Sequence, residues 1–291
     1  MQTRDAPAKI NLALHVTGRR ADGYHLIESF VVFTELGDRV SARPAGNDGF
    51  YLDGPEAGVL SSEDAKGNLV VRAREALREA ARHSGKVLAP VEIVLDKRLP
   101  VASGIGGGSA DAAATLQLLC ELWEYRPSRE HLSRIALRLG ADVPMCLFGQ
   151  PSIARGIGET LEPAGLGFKL DLVIVNPRIG VSTPSVFSAL DRRENGPLPL
   201  PRGLGDRTEF IAWLAATRND LEPPARRLVP EIGECLSALT HSGALFARMS
   251  GSGASCFGLF ESPQTASDAA NRLRQQKPGW FVAATRTIAQ A

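Results

Sequence analysis

The run Leu99-Pro100-Val101-Ala102-Ser103-Gly104-Ile105-Gly106-Gly107-Gly108-Ser109-Ala110-Asp111 holds the densest chemical signal in the chain. Four of the five residues from 104 to 108 are glycine, and the run leads from a strand pattern into an Ala/Leu-rich helix pattern. Without Cβ atoms, the backbone N–H groups of such a loop can close on an anion, and the positive end of the helix dipole favours the same ligand. The ligand this chemistry fits is a phosphate chain. A flexible linker shares the composition, but a linker rarely opens straight into a helix with a serine, here Ser109, placed at the cap. No Gly-Lys-Ser/Thr closes the run, so it is not a Walker A loop. No register gives G-x-G-x-x-G, so the dinucleotide-binding reading fails as well.

Three further constellations carry chemistry. In Gly140-Ala141-Asp142-Val143-Pro144, Gly140 is expected to stop a helix in a left-handed conformation and Pro144 to push Val143 extended. Asp142 is then a rigidly placed carboxylate, which suits a general base for a hydroxyl; capping a short helix is the plainer use of the same residue. Lys9 and Asn11 lie on the polar face of an alternating strand, and Lys9 is one of only six lysines. A solvated edge charge accounts for Lys9 equally well. The run Arg248-Met249-Ser250-Gly251-Ser252-Gly253-Ala254-Ser255 is a second Gly/Ser turn between two strand patterns. It fits either a second anion cradle or a simple hairpin.

The elements that must position these groups are legible from period. Lys9 to Val16 alternates, with Ile10, Leu12, Leu14 and Val16 on one face and Lys9, Asn11 and His15 on the other. A turn at Asp22-Gly23-Tyr24 follows, and strands are expected at 26–33, 39–43 and 91–95. Leu69, Ala73, Leu77 and Ala80 have helical spacing within 68–83, and further helices are expected at about 109–124 and 128–140. In the second half, strands are expected at 170–175, 245–249, 255–260 and 280–288. Helices are expected to start near Ser182 or Thr183 and to cover 208–216, 222–228, 231–241 and 263–275. The proline-rich segment 191–205 reads as a surface loop. Helices and strands without regular βαβ alternation point to an α+β protein, divided near residue 160 into segments 1–160 and 161–291.

Composition excludes several function classes. The 291 residues allow one large domain or two, and 44% apolar with 22% charged residues is ordinary for a globular chain. A net charge of +1 supplies no global basic field, so nucleic acid is not an expected partner. The four cysteines (120, 146, 235, 256) have no metal-motif spacing, and the five histidines form no HxxxH pair. Sparse cysteine, the lack of a signal-peptide pattern, and no apolar run of about 18 residues lead to the expectation of a cytoplasmic protein with no membrane partner. A chain that opens almost directly on its first strand also leads to the expectation of no organelle transit segment. Nothing in the sequence chooses between a monomer and a homodimer. The 29 glycines are an excess whose location is the informative part.

Taken together, the motifs resemble the GHMP kinase superfamily, over nearly the whole chain and in the family's order: Lys9 on the first strand, the loop 100–110, and the late turn 250–254. The resemblance narrows at Pro7-Ala8-Lys9-Ile10-Asn11-Leu12, Asp22-Gly23-Tyr24-His25, Ile105-Gly106-Gly107-Gly108-Ser109, Leu139–Pro144, Asn219-Asp220-Leu221-Glu222 and Met249–Ala254. It implies a two-domain α+β fold, with an N-terminal domain like the second domain of ribosomal protein S5 and a ferredoxin-like C-terminal domain. It implies a small-molecule kinase using ATP and Mg²⁺, acting on the 2-hydroxyl of 4-diphosphocytidyl-2-C-methyl-D-erythritol in non-mevalonate isoprenoid precursor formation. Carried over by position, Asp142 is the general base and Lys9 lies beside it and the transferring phosphoryl. Pro100–Ala110 holds ATP, and Asn11, Thr183, Gly251, Ser252 and Gly253 meet the substrate. Tyr24, His25 and Phe187 take the cytidine ring. The chain departs from the family loop at Ala102, Ser103 and Ala110. Loss of a second hydroxyl at 110 leaves the protein ligands of Mg²⁺ unassigned, with Ser109 the one candidate. Two other functions fit the same motifs: another GHMP kinase acting on mevalonate, homoserine or a sugar, and a nucleotide-binding paralogue without catalysis.

Overall fold

The computed structural model describes residues 1–60, 67–101, 103–201 and 205–288. Its first two strands are long, β1 (Gln2–Arg19) and β2 (His25–Pro44), and they pair with each other. Packing divides the chain into two units, and the divide falls inside both strands. One unit comprises Met1–Ala8, Gly37–Val101 and Gly106–Gly149; the other comprises Lys9–Leu36, Ala102–Ile105 and Gln150–Ala291. The units are therefore interleaved along the chain, whereas the sequence-based cut at 160 is a single point.

The first unit continues through β3 (Gly49–Asp53), α1 (Ala57–Leu60), α2 (Leu69–His83), β4 (Val91–Asp96), α3 (Gly107–Leu122), α4 (Arg129–Leu139) and α5 (Val143–Phe148). β4 pairs antiparallel with the end of β2, from Arg39↔Asp96 to Pro44↔Val91, and parallel with β3. Val40, Ile93 and Leu95 from the sheet, Leu77 from α2 and Leu116 from α3 share one core. The helix starts follow the side-chain chemistry: Asn68 Oδ1 accepts the Val70 N–H and Ser128 Oγ accepts the His131 N–H.

The second unit adds β5 (Ser152–Arg155), β6 (Thr160–Pro163), β7 (Asp171–Asn176), α6 (Thr183–Ser188), α7 (Arg207–Ala215), α8 (Glu222–Leu228), α9 (Glu231–His241), β8 (Phe246–Met249), β9 (Cys256–Phe260), α10 (Pro263–Gln276) and β10 (Phe281–Arg286). β10, β7, β9 and β8 form a wholly antiparallel sheet in that order. Counting β7, β8, β9 and β10 as first to fourth, the order is fourth, first, third, second, with α9 and α10 as the crossovers. That is the ferredoxin-like arrangement expected for this half. Val173 and Val175 of β7, Ile232 and Leu239 of α9, and Ala266 and Leu273 of α10 fill its core, together with Leu14, Val16 and Ile27 from the first two strands.

Local expectations fail at four points. The strands expected at 26–33 and 39–43 are one continuous strand, β2. Gly140 is not left-handed: its φ of 168° is extended backbone, and its N–H still closes α4 on Ala136 O at 3.2 Å. Val143 is not extended but opens α5, because its fully buried side chain joins the helical core and Pro144 falls in the first turn, where no N–H is needed. Ser109 is not the cap of α3. Gly106 is, with φ +68°, and Ser109 lies inside the first turn. Among the described residues, no helix is long and apolar enough to cross a membrane.

Candidate active site

In the second unit, β1 brings Lys9 and Asn11 beside two glycine turns. The Lys9 N–H donates to Ile105 O at 2.9 Å, and the Asn11 N–H donates to Ser250 Oγ at 3.1 Å. Ser250 Oγ in turn donates to Gly104 O at 3.2 Å, and the Ser255 N–H donates to Ser103 O at 3.0 Å. The segments 103–105 and 250–255 thus pack backbone on backbone. A Cβ on Gly104 (φ +74°) would lie 2.6 Å from Gly253 O and 2.7 Å from Ser250 O, so no other residue fits there. Gly251 and Gly253 are also left-handed, at φ +57° and +90°.

The polar face of β1 is buried. Lys9 and Asn11 are each 2% exposed, so neither is the solvated edge group that the alternation alone allows. The Asn11 amide donates from Nδ2 to Ser29 Oγ at 2.7 Å, and Ser29 passes the bond on to Ala13 O at 2.6 Å. Asn11 Oδ1 is buried and has no hydrogen-bond partner among the described residues. An acceptor held this way is costly unless a donor arrives, which suits a residue that orients a hydroxylated substrate.

The same unit holds the aromatic residues singled out from sequence. The rings of His25 and Phe187 stack, with centroids 4.7 Å apart and planes 20° from parallel. Burial first, then Arg19 and Arg193, lower the His25 pKa, so its ring is neutral near pH 7. His25 Nε2 is buried without a partner among the described residues. Tyr24 is 58% exposed and takes no part in the stack. Thr183, the first residue of α6, shares a hydroxyl–hydroxyl bond of 2.8 Å with Ser252 and so ties α6 to the late glycine turn.

In the first unit, α3 starts on a glycine with no side-chain cap. The N–H groups of its first turn, at Gly107, Gly108 and Ser109, have no intrahelical acceptor, and no acidic side chain stands in that turn. This is the environment an anion fills. Ala110 is the first residue whose N–H turns inward, to Gly106 O at 2.8 Å. Pro100 is buried and Val101 half-buried just ahead of the loop; Ala102 lies outside the described residues. Asp142 stands at the N-cap position of α5, half-buried, and its carboxylate makes no capping bond. The plainer use of Asp142, as a cap, is therefore not realised.

Sequence reasoning passed over a buried cluster under this loop. Lys97 Nζ donates to Asp111 Oδ2 at 2.8 Å and to Asp38 Oδ2, and Asp38 Oδ1 accepts the N–H groups of Arg98 (2.6 Å) and Leu99 (2.7 Å). A Cβ on Gly107 would lie 3.1 Å from Lys97 Nζ. The three residues are far apart in sequence, so no spacing rule links them. Among the described residues, no three His, Cys, Asp or Glu side chains group as a metal cage.

Two family models match the chain, the GHMP kinases N terminal domain over residues 68–150 and the GHMP kinases C terminal over 200–279. A 4-diphosphocytidyl-2-C-methyl-D-erythritol kinase of Agrobacterium fabrum is 53% identical over 284 residues, 97% of this chain and 95% of that one. One of Mesorhizobium japonicum is 54% identical over 288 residues, 99% and 96% of the two chains. The chain belongs to the GHMP kinase family, in the branch of these relatives. A solved 4-(cytidine 5'-diphospho)-2C-methyl-D-erythritol kinase is 35% identical, with a TM-score of 0.79 over 99% of this chain and 100% of that one. The homoserine kinase of Cytophaga hutchinsonii, at 18% identity and TM-score 0.70 over 99% of this chain and 94% of that one, shares the fold. The GHMP kinase described here is a phosphotransferase that uses ATP and acts on a small molecule.

Proposed function

We propose that this GHMP kinase transfers the γ-phosphoryl group of ATP to the 2-hydroxyl of 4-diphosphocytidyl-2-C-methyl-D-erythritol, in the non-mevalonate route to isopentenyl diphosphate. The observation that carries the reading is the identity of 53–54% over nearly the whole chain with relatives of that name. The geometry supports it within each unit. The uncapped start of α3 suits the phosphate chain of ATP, with Gly106–Ser109 supplying N–H donors. Asn11 Oδ1 suits a substrate hydroxyl. The outer faces of the His25–Phe187 stack, with exposed Tyr24 beside His25 in sequence, suit a flat pyrimidine, and His25 Nε2 suits its polar edge.

Asp142 takes the proton of the 2-hydroxyl as that oxygen bonds to the γ-phosphorus. The bond from the γ-phosphorus to the bridging oxygen breaks, and ADP leaves. The Lys9 ammonium offsets the charge on the phosphoryl oxygens in flight. Gly251, Ser252 and Gly253 line the substrate side, with Thr183 bonded to Ser252. Mg²⁺, when bound, neutralises phosphate charge, and Ser109 is the loop hydroxyl that would reach it.

The test is ADP release by the purified protein with ATP, Mg²⁺ and a panel of alcohols. The expected result is stimulation by the cytidylyl methylerythritol compound and none by mevalonate or homoserine. Asp142→Asn should keep ATP binding and lose about 10²–10⁴-fold in turnover, the usual weight of a positioned base. Stimulation by homoserine or mevalonate instead would assign another GHMP substrate, and near-normal turnover in Asp142→Asn would remove the base assignment.

A further inference from the structure

The tetrapeptide Asn219-Asp220-Leu221-Glu222 has polar side chains that the chemistry above does not use. Asn219 is buried, and its amide is saturated. Nδ2 donates to Met249 O and to Gly251 O, each at 2.8 Å, and Oδ1 accepts the Leu221 N–H at 3.0 Å. Those two carbonyls bracket Ser250, the residue whose hydroxyl bonds the Asn11 N–H and Gly104 O.

The same stretch is bonded to β1. The Leu14 N–H donates to Arg218 O at 2.9 Å, the Asp220 N–H donates to Leu14 O at 2.9 Å, and the Asp220 carboxylate accepts the Val16 N–H at 2.7 Å. Glu222 Oε2 accepts the Met249 N–H at 3.0 Å. One short segment thus grips β1 at Leu14 and Val16 and the late glycine turn at Met249 and Gly251. Gly251 and Gly253 have the backbone freedom to take other conformations, so a turn built on them needs outside bonds to hold one. Asn219 supplies two. An aspartate there would set a carboxylate against two carbonyl oxygens.

We infer that Asn219 is a positioning residue that fixes the 249–253 turn relative to β1, and so sets Gly251 and Ser252 against Asn11 for the acceptor substrate. The kinetic part of this assignment rests on the kinase reading above; the structural part does not.

The test compares the wild-type protein with Asn219→Ala, and with Asn219→Ser, which keeps one donor and guards against an alanine variant that fails to fold. In Asn219→Ala, hydrogen exchange of the bonded amides of Met249, Ser250 and Gly253 should speed up by about tenfold or more, since two bonds to the turn are lost and each is worth up to about tenfold, while α2 and α3 keep wild-type exchange. KM for the cytidylyl substrate should rise about tenfold with KM for ATP within about twofold, and Asn219→Ser should fall between the wild type and Asn219→Ala. Wild-type exchange at 249–253, exchange speeding up equally across the chain, or KM values for both substrates rising in parallel would each overturn the assignment. If the wild-type protein does not phosphorylate the cytidylyl compound, the kinase reading fails, and the exchange pattern alone decides whether Asn219 holds the turn.

Discussion

One ammonium stands between two carboxylates beneath the glycine loop, and that imbalance has a measurable consequence. Lys97, Asp38 and Asp111 are all nearly inaccessible to water, and two anions against one cation leave one negative charge in excess. Burial works against the Lys97 charge, but the charges of Asp111 and Asp38 outweigh it and raise its pKa. For Asp111, burial and then the repulsion of Asp38 outweigh Lys97 and push the carboxyl up to about 8. Its Oδ1 has no partner among the described residues, as suits an acid that keeps its proton. A carboxyl whose pKa rises from 3.8 to about 8 on folding holds, in the native state, a proton that the unfolded chain has released. Its contribution is fully present below pH 3.8 and is lost as pH rises toward 8. Asp111→Asn removes that loss and can still accept from Lys97. Urea unfolding at pH 5, 6.5 and 8 should show the variant gaining on the wild type by an amount on the order of a few kcal/mol across the series. A difference that is flat in pH, or that grows toward acid, would refute the assignment. None of this was legible in the sequence, where Asp38, Lys97 and Asp111 share no spacing. Lys9, Asn11 and Asp142 could be singled out as candidates because a period or a Gly–Pro frame marks each of them.

At the scale of elements, the glycine excess divides into two physical roles that composition cannot separate. Gly104 is required by close approach: its neighbours are the backbone atoms of Ser250 and Gly253, which cannot yield as a flexible side chain can. Gly108 stands exposed in the first turn of α3, and a Cβ there would make an ordinary contact with Leu69 at 3.4 Å. Gly104→Ala should therefore cost about 2–4 kcal/mol, from left-handed strain plus overpacking. Gly108→Ala should cost nothing, or gain up to about 1 kcal/mol from the backbone entropy it removes from the unfolded chain. Paired thermal melts check this, and equal losses in the two variants would contradict it. The long periodic elements, β1 and α2, were readable because burial of one face dictates their spacing. The start of α3 was misread because left-handed Gly106 caps the helix ahead of Ser109, and the conformation of Val143 because its burial overrode the local preference of a residue before proline. The bonds of segment 217–222 were unreadable for a different reason, although Asn219–Glu222 is among the motifs that carry the family resemblance. These bonds run to β1 and to the late turn, more than 25 positions away on either side, and no local pattern encodes them.

At the scale of the molecule, the near-zero net charge and the α+β class followed from composition and element order, but the interleaving of the two units did not. A cut at 160 would remove from the second unit the strand residues that complete it. Leu14, Val16 and Ile27 belong to its core, and the Arg248 guanidinium donates to Leu12 O at 2.9 Å as well as to Leu214 O, Thr217 O and Thr217 Oγ1. The far edge of the ferredoxin-like sheet is also tied to β2, with the Leu36 N–H donating to Thr285 Oγ1 at 3.0 Å and the Ile288 N–H to Phe33 O at 2.9 Å. Burial already lowers the Arg248 pKa to about 10, so losing an acceptor there leaves a poorly solvated cation as well as exposed apolar surface. Segment 161–291 expressed alone should therefore lack a cooperative unfolding transition and bind a hydrophobic dye, although its four-stranded sheet is complete in sequence. Mixing it with segment 1–160 should restore cooperativity, because the missing strand residues are then supplied in trans. Circular dichroism melts of each segment and of the mixture decide the matter. A sharp transition for 161–291 alone at the midpoint of the full chain would mean that the ferredoxin-like sheet and its two helices carry the stability of that half unaided, and that residues 9–36 only decorate it.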